Sequence, residues 1–167
     1  MEKLLMGEYV HRLDEKNRLS IPSSMRKIFT NDFVICRQHF IGPYLSIYQS
    51  LDKLKEETGL SFNKPGSLYP RDISLDQPGR VPLSCIETEH ICQEASPELT
   101  IVGALSHIEI WEPNILMEVR SRLQKIDSHR LKIKLYQEYG REIDSILLEI
   151  ESLMEPIVFE KRRKNGS

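Results

Sequence analysis

A chain of 167 residues in which 40% are hydrophobic can fill one core of ordinary size and still carry an extension. The formal net charge of -2 excludes a surface coated with positive charge, so any binding of polyanions must come from a local patch or from several patches brought together. There is no apolar run of about 18 residues and no secretory leader pattern, and Cys36, Cys85 and Cys92 form neither an even framework nor a C-x-x-C pair, so a cytoplasmic protein is expected.

The segment from Leu13 to Pro22 returns in degraded form as Leu75 to Ser84, and Tyr44-Leu45-Ser46-Ile47-Tyr48 returns as His107-Ile108-Glu109-Ile110-Trp111. Each copy carries Asp-x-x-x-Arg at a turn, as Asp14 and Arg18 and again as Asp76 and Arg80. In the first copy Asp14 suits the opening of a tight hairpin turn, because its carboxylate can accept backbone N–H groups further on. Asn17 falls where a left-handed residue is needed, which Asn tolerates better than most. Leu19 and Ile21 alternate with Arg18 and Ser20, predicting a strand with one buried side. Pro22 then opens a short helix that buries Met25, Ile28 and Phe29 and leaves Arg26 and Lys27 in water. Phe33–Cys36 and Tyr44–Tyr48 are predicted strands, with Gly42-Pro43 turning between them.

The second copy keeps the plan with changes. Pro78-Gly79 favours a type II turn, so the two hairpins are expected to differ in shape. Ser84 replaces Pro22, and the helix predicted over Cys85–Cys92 carries Glu87 and Glu89, reversing the local charge. The first copy is therefore the better expected site for polyanions, with Arg12, Lys16 and Arg18 on or beside a narrow ribbon that suits a DNA major groove. An Arg there reads guanine by paired hydrogen bonds, while Lys16 serves phosphate as a point charge. The competing reading of Asp14 and Arg18 is a turn-stabilising ion pair with no partner. Asp76, Gly79 and Arg80 are expected to be structural or to lie at a subunit interface.

The run Gly7-Glu8-Tyr9-x-His11-x-Leu13-Asp14-x-Lys16-x-Arg18-Leu19-x-Ile21-Pro22, with Leu75-Asp76-Gln77-Pro78-Gly79-Arg80 and Ile108-Glu109-Ile110-Trp111 in order, closely resembles the MraZ family of bacterial regulators, related to the AbrB-like swapped-hairpin group. The likeness covers roughly residues 4 to 125. It implies an α+β fold, a pseudo-twofold repeat of β-hairpin and short-helix units closing a swapped-hairpin barrel. It also implies a ring-forming homo-oligomer that binds double-stranded DNA at tandem promoter repeats ahead of a cell-division and cell-wall gene cluster, in association with the nucleoid. By motif match, Arg18 and Lys16 would face DNA, with Arg12 in support and Asp14 and Asn17 holding the turn. The chain departs from the family at Met6, often Arg there, at Asn17, often Gly, and after the strand of its second copy, where the usual Pro and Arg are absent.

The expected organisation is a double-repeat domain over residues 1–112, with repeats at about 5–52 and 69–112, then a helical extension over 113–155 and a basic, disordered tail over 156–167 containing Lys161-Arg162-Arg163-Lys164. In the extension Leu116, Val119, Leu123 and Ile126 make one apolar stripe and Leu135, Tyr139, Ile143, Ile146, Ile150 and Leu153 another, slipping at Asp127-Ser128-His129. That slip predicts either one long helix or, preferably, two segments, which pack on their own domain or join subunits. Gly140 weakens the interior of any continuous helix by about 1 kcal/mol relative to Ala. No cofactor is expected. Cys85, His90 and Cys92 lack a fourth ligand for a metal, and no nucleophile, base and orienting group stand together as in an enzyme. The competing functional readings are an AbrB-like or antitoxin-like regulator, and a scaffold that binds a protein partner through the helical extension.

Overall fold

The computed structural model describes residues 4–26, 33–59, 70–92, 97–138 and 144–157. They form an α+β protein whose strands all pair antiparallel. In chain order the elements are β1 (Glu8–Arg12), β2 (Arg18–Ser20), α1 (Ser23–Arg26), β3 (Phe33–His39), β4 (Pro43–Tyr48), α2 (Leu51–Thr58), β5 (Arg71–Ile73), β6 (Arg80–Pro82), α3 (Cys85–Ile91), β7 (Glu98–Ala104), β8 (His107–Trp111), α4 (Pro113–Glu138) and α5 (Asp144–Leu153).

Six strands make one sheet in the order β1-β7-β8-β4-β3-β5, and β2 pairs with β6 as a separate ribbon. This corrects the expected hairpin. The strands flanking the Asp14 turn do not pair with each other: β1 runs beside β7 of the second copy, with Tyr9 opposite Ile101, and β2 runs beside β6, with Leu19 opposite Val81. The second copy does the reverse, placing β5 on β3. Burial explains the choice, because both Leu19 and Val81 are fully buried and each completes the other's apolar face.

Side chains alternate across the sheet, so consecutive residues serve different cores. Ile101, Ile110 and Leu45 pack with Leu19, Ile21, Val81 and Leu83 of the ribbon. Their neighbours Val102, Trp111 and Tyr44 point the other way, into a second core with Ile115, Leu116, Val119 and Ile126 of α4. Gly42 permits that approach, since a Cβ there would lie 2.6 Å from Ile115. A smaller cluster of Val34, Cys36 and Tyr48 is closed by Leu54 of α2. The sequence pattern gives no expectation for α2. Its Ser50 cap accepts the Lys53 N–H, and Gly59 ends it in the left-handed region at φ 64°.

The extension folds back on itself. The helix α4 runs unbroken through Asp127-Ser128-His129, so the expected slip there is not a break, and the two helical segments are α4 and α5. Ile150, Leu153 and Ile157 return to Ile115, Leu116 and Val119, and the Ile157 N–H donates to the Ile41 carbonyl. His129 Nε2 lies 3.2 Å from Glu149 Oε2 across the pair of helices. The described residues Leu116, Val119, Leu123 and Ile126 of one stripe and Ile150 and Leu153 of the other therefore share one core with Trp111 and Tyr44 of the sheet. Lys27, Ile28, Phe29, Tyr139, Gly140, Ile143 and the basic tail lie outside the described residues. No described helix is long and apolar enough to cross a membrane.

Candidate nucleic-acid interface

The two turns are built alike. In the first, the Asn17 N–H donates to the Asp14 carbonyl and the Asp14 N–H to the Arg18 carbonyl; in the second, Gly79 and Asp76 do the same with Asp76 and Arg80. Asn17 sits at φ 53° and Gly79 at φ 84°. The expected difference in shape is thus overturned. Gly79 takes the fourth position of its turn and Pro78 the third, a place usually unfavourable for proline, because the strand pairing on both sides dictates the turn. The Ile21 N–H donates to the Gly79 carbonyl and the Leu83 N–H to the Asn17 carbonyl, so each strand is tied to the opposite turn.

These ties bring both Asp-x-x-x-Arg motifs to one place. Asp14 Oδ1 accepts the backbone N–H groups of Lys16 and Arg18, each at 2.9 Å, and its Oδ2 accepts Arg18 Nε at 2.8 Å. Asp76 Oδ1 accepts the Arg80 N–H at 2.7 Å and Oδ2 accepts Arg80 Nε at 2.8 Å. Cross pairs close the cluster, with Arg18 Nη1 3.5 Å from Asp76 and Arg80 Nη1 3.4 Å from Asp14. The side chains of all four keep between about a quarter and a third of their surface open. The hydrogen bond from the Arg18 side chain, with the backbone donors behind it, holds Asp14 at about 2, well below its usual 3.8. At Asp76 desolvation works upward, but the Arg80 hydrogen bonds and the Arg80 and Arg18 charges outweigh it and the carboxyl is again depressed.

The remaining candidates stand around this cluster. Lys16 is exposed at the tip of the first turn, and among the described residues no carboxylate is paired with it. Arg12 is exposed at the end of β1 and spends its guanidinium on Glu98 at 3.0 Å. Together with Leu13, Asp14, Glu15 and Arg18 they line an open depression of about 530 Å³. Asn17 is exposed, whereas Gly79 is buried.

Two charged residues stand differently from expectation. Glu87 does not project negative charge: it is 6% exposed, receives Arg71 Nε and Nη2 at 2.9 and 2.7 Å, and closes a capping box with Ser84. Burial opposes its ionisation, yet the Arg71 and Ser84 donors keep its carboxyl below the ordinary range. Arg26 is not simply wet but half-buried, with Nε donating to the Ile21 carbonyl. Sequence reasoning placed it on a solvent face because helical periodicity says nothing about the other copy's turn.

The strand-end aromatics Tyr48 and Trp111 serve packing. Trp111 is 4% exposed, stacks on Tyr44 at 4.3 Å, and donates Nε1–H to Glu109. Tyr48 stacks on His107 at 4.5 Å. Cys92 is buried while Cys85 is exposed, and His90 is engaged with the Gln38 carbonyl, so the three do not converge. No group of three or more potential metal ligands gathers among the described residues.

The fold and its centre define an internally repeated α+β protein in which two Asp-x-x-x-Arg turns share one charge cluster. No family model matches the chain. It is 31% identical over 121 residues to a protein of Dictyoglomus thermophilum, and 30% identical over 118 residues to one of Limosilactobacillus fermentum. A protein of Clostridium acetobutylicum is 29% identical over 119 residues. Each is named Transcriptional regulator MraZ, and the matches cover 65% of this chain and 79–81% of the relatives. The chain belongs to the MraZ family.

Proposed function

We propose that this chain is a DNA-binding transcriptional regulator that works in the cytoplasm, associated with the nucleoid, as a homo-oligomeric ring on tandem promoter repeats ahead of a cell-division and cell-wall gene cluster. The observation that carries the reading is membership of a family whose curated relatives are named transcriptional regulators. The pseudo-twofold swapped-hairpin reading of residues 1–112 rests on the exchange of β1 and β5 between the two copies, with 113–155 appended as a helical extension.

The contacts are assigned to Lys16 and Arg18, with Arg12 in support. Lys16, unpaired with any carboxylate among the described residues, offers its ammonium to phosphate at the tip of the first turn. Arg18 is fixed by Asp14 and Asp76, yet each terminal nitrogen carries two N–H groups, so a partly open guanidinium keeps donors for a base edge. One turn binds weakly; several turns held by an oligomer on several repeats gain from effective concentration, which suits a slightly acidic protein.

The test is binding of wild type, Arg18→Ala and Lys16→Ala to the DNA upstream of this protein's own gene, by fluorescence anisotropy across a salt series, with repeats intact and scrambled. Arg18→Ala is expected to erase the preference for intact repeats, worth about 1–3 kcal/mol per base contact. Lys16→Ala is expected to weaken both duplexes alike and to lower the salt slope by about 0.9 per subunit contact. Binding indifferent to salt, to Arg18 and to repeat order defeats the proposal.

A second reading follows from the helical extension, where Leu131 and Leu148 are exposed at 62% and 66% on α4 and α5. A protein partner captured there, with no DNA binding, would make the chain a scaffold.

A further inference from the structure

The second turn differs from the first in what covers it. Position 16 of the first turn is a lysine with no carboxylate partner among the described residues, and its counterpart in the second is Pro78, which removes the charge. Arg26 of the first copy makes up the difference. Its guanidinium lies directly over Gly79, where any Cβ would meet Nε, Cζ and Nη1, and its Nε donates to the Ile21 carbonyl. Ile21 in turn donates its N–H to the Gly79 carbonyl, so the guanidinium, the strand end and the turn are knotted together. This is why Gly79 is buried while Asn17, at the equivalent place, is exposed. The residue at the Arg26 position of the second copy is Thr88, whose hydroxyl is turned back to the Ser84 carbonyl, so it does not reciprocate over the first turn.

From this we infer that Arg26 is a phosphate-binding residue of the second turn, supplied across the copies. Arg12, Arg18, Arg71, Arg80, Arg120, Arg122 and Arg130 all spend their guanidinium groups on carboxylates. Arg26 on α1 and Arg37 on β3 are not paired with a carboxylate among the described residues; of the two, Arg26 lies at a turn, and its one hydrogen bond there uses only Nε. Its guanidinium lies over Gly79, the residue before Arg80, and its terminal N–H groups form the planar fork that suits a pair of bonds to a phosphate diester. Each turn then carries one uncompensated cation, Lys16 on the first and Arg26 on the second, beside a charge cluster that is neutral in sum. The ligand is the backbone of nucleic acid rather than a base, because nothing in the arrangement selects among bases.

The assignment rests on the DNA-binding reading, and the experiment separates the two. Affinity for the upstream duplex and for a scrambled duplex is measured from 50 to 200 mM salt for wild type, Arg26→Gln, Arg26→Met and Arg26→Lys, with thermal melting of each. Arg26→Gln and Arg26→Met are expected to weaken both duplexes by the same factor and to lower the salt slope by about 0.9 per contact, so that about three- to fourfold less affinity is lost over that range. Arg26→Lys is expected to restore the slope, and Arg26→Met keeps the stem over Gly79, separating lost charge from lost packing. Salt-sensitive wild-type binding with unchanged slopes in both Gln and Met variants overturns the assignment alone. Wild type with no salt-sensitive binding overturns the regulator reading and the assignment with it.

Discussion

Arg18 Nη1 stands 3.5 Å from Asp76 Oδ2, and this contact joins motifs that are far apart in the chain. With its mirror pair between Arg80 and Asp14 it makes the two turns one electrostatic unit. A carboxylate held at low pKa by the folded state stabilises that state only while ionised, so the contribution of Asp14 is present above its unfolded value near 3.8 and is lost as pH falls through about 2. Asp76 acts with the same sign. Thermal melts from pH 7 to pH 2 should show an acid limb between about pH 4 and pH 2. Asp14→Asn should flatten it, and an unchanged limb in that variant would show the cluster to be energetically idle.

Arg71→Ala should be costly for a reason unconnected with DNA. It leaves Glu87 buried and ionised with only the Ser84 donors, an expected loss of about 2 kcal/mol, below the range for fully enclosed pairs because Arg71 is partly exposed. Glu87→Gln with Arg71 intact should cost less. Urea denaturation of both variants measures the order, and equal midpoints would contradict the account.

Leu105 is a bulky side chain in the left-handed region, at φ 65° in the tight turn between β7 and β8, and it is 55% exposed. Its backbone is held there by reciprocal bonds with Leu5. Leu105→Gly should therefore raise the urea midpoint, by a gain of about 1 kcal/mol, since strain is relieved and little burial is lost. A loss of stability would mean the side chain has a packing role.

Ile126 is 2% exposed in the core shared by α4, α5 and Trp111. Ile126→Ala should cost about 2–4 kcal/mol and change the fluorescence of Trp111 as the helices loosen from the sheet. A variant that melts like wild type would show the helices to be held elsewhere.

Much of this was legible in the residues. The positions of both turns, the left-handed Asn17, the buried face of Leu19 and Ile21, and the strands around Gly42-Pro43 follow from local patterns. What eluded the sequence is pairing. Periodicity shows that β2 has an apolar side but not that Val81 covers it, since exchanged and internal strand pairing leave the same pattern. Glu87 and Arg26 were misplaced for the same reason, since their partners, Arg71 and Gly79, are distant in sequence. At Asp127-Ser128-His129 the apolar stripe slips without ending α4, and His129 there faces Glu149 of α5.

The exchange of strands between the copies also sets an order of events during synthesis. When residues 8–58 have left the ribosome, β3 and β4 can pair, but β1 has no β7 and β2 has no β6. The strand β2 gains its partner only once Pro82 has emerged, and β1 only once Val102 has, so the nascent first half lacks both pairings. Either half expressed by itself is expected to leave strands unpaired, and a ribosome stalled between the copies would release a product whose strand edges are open to association.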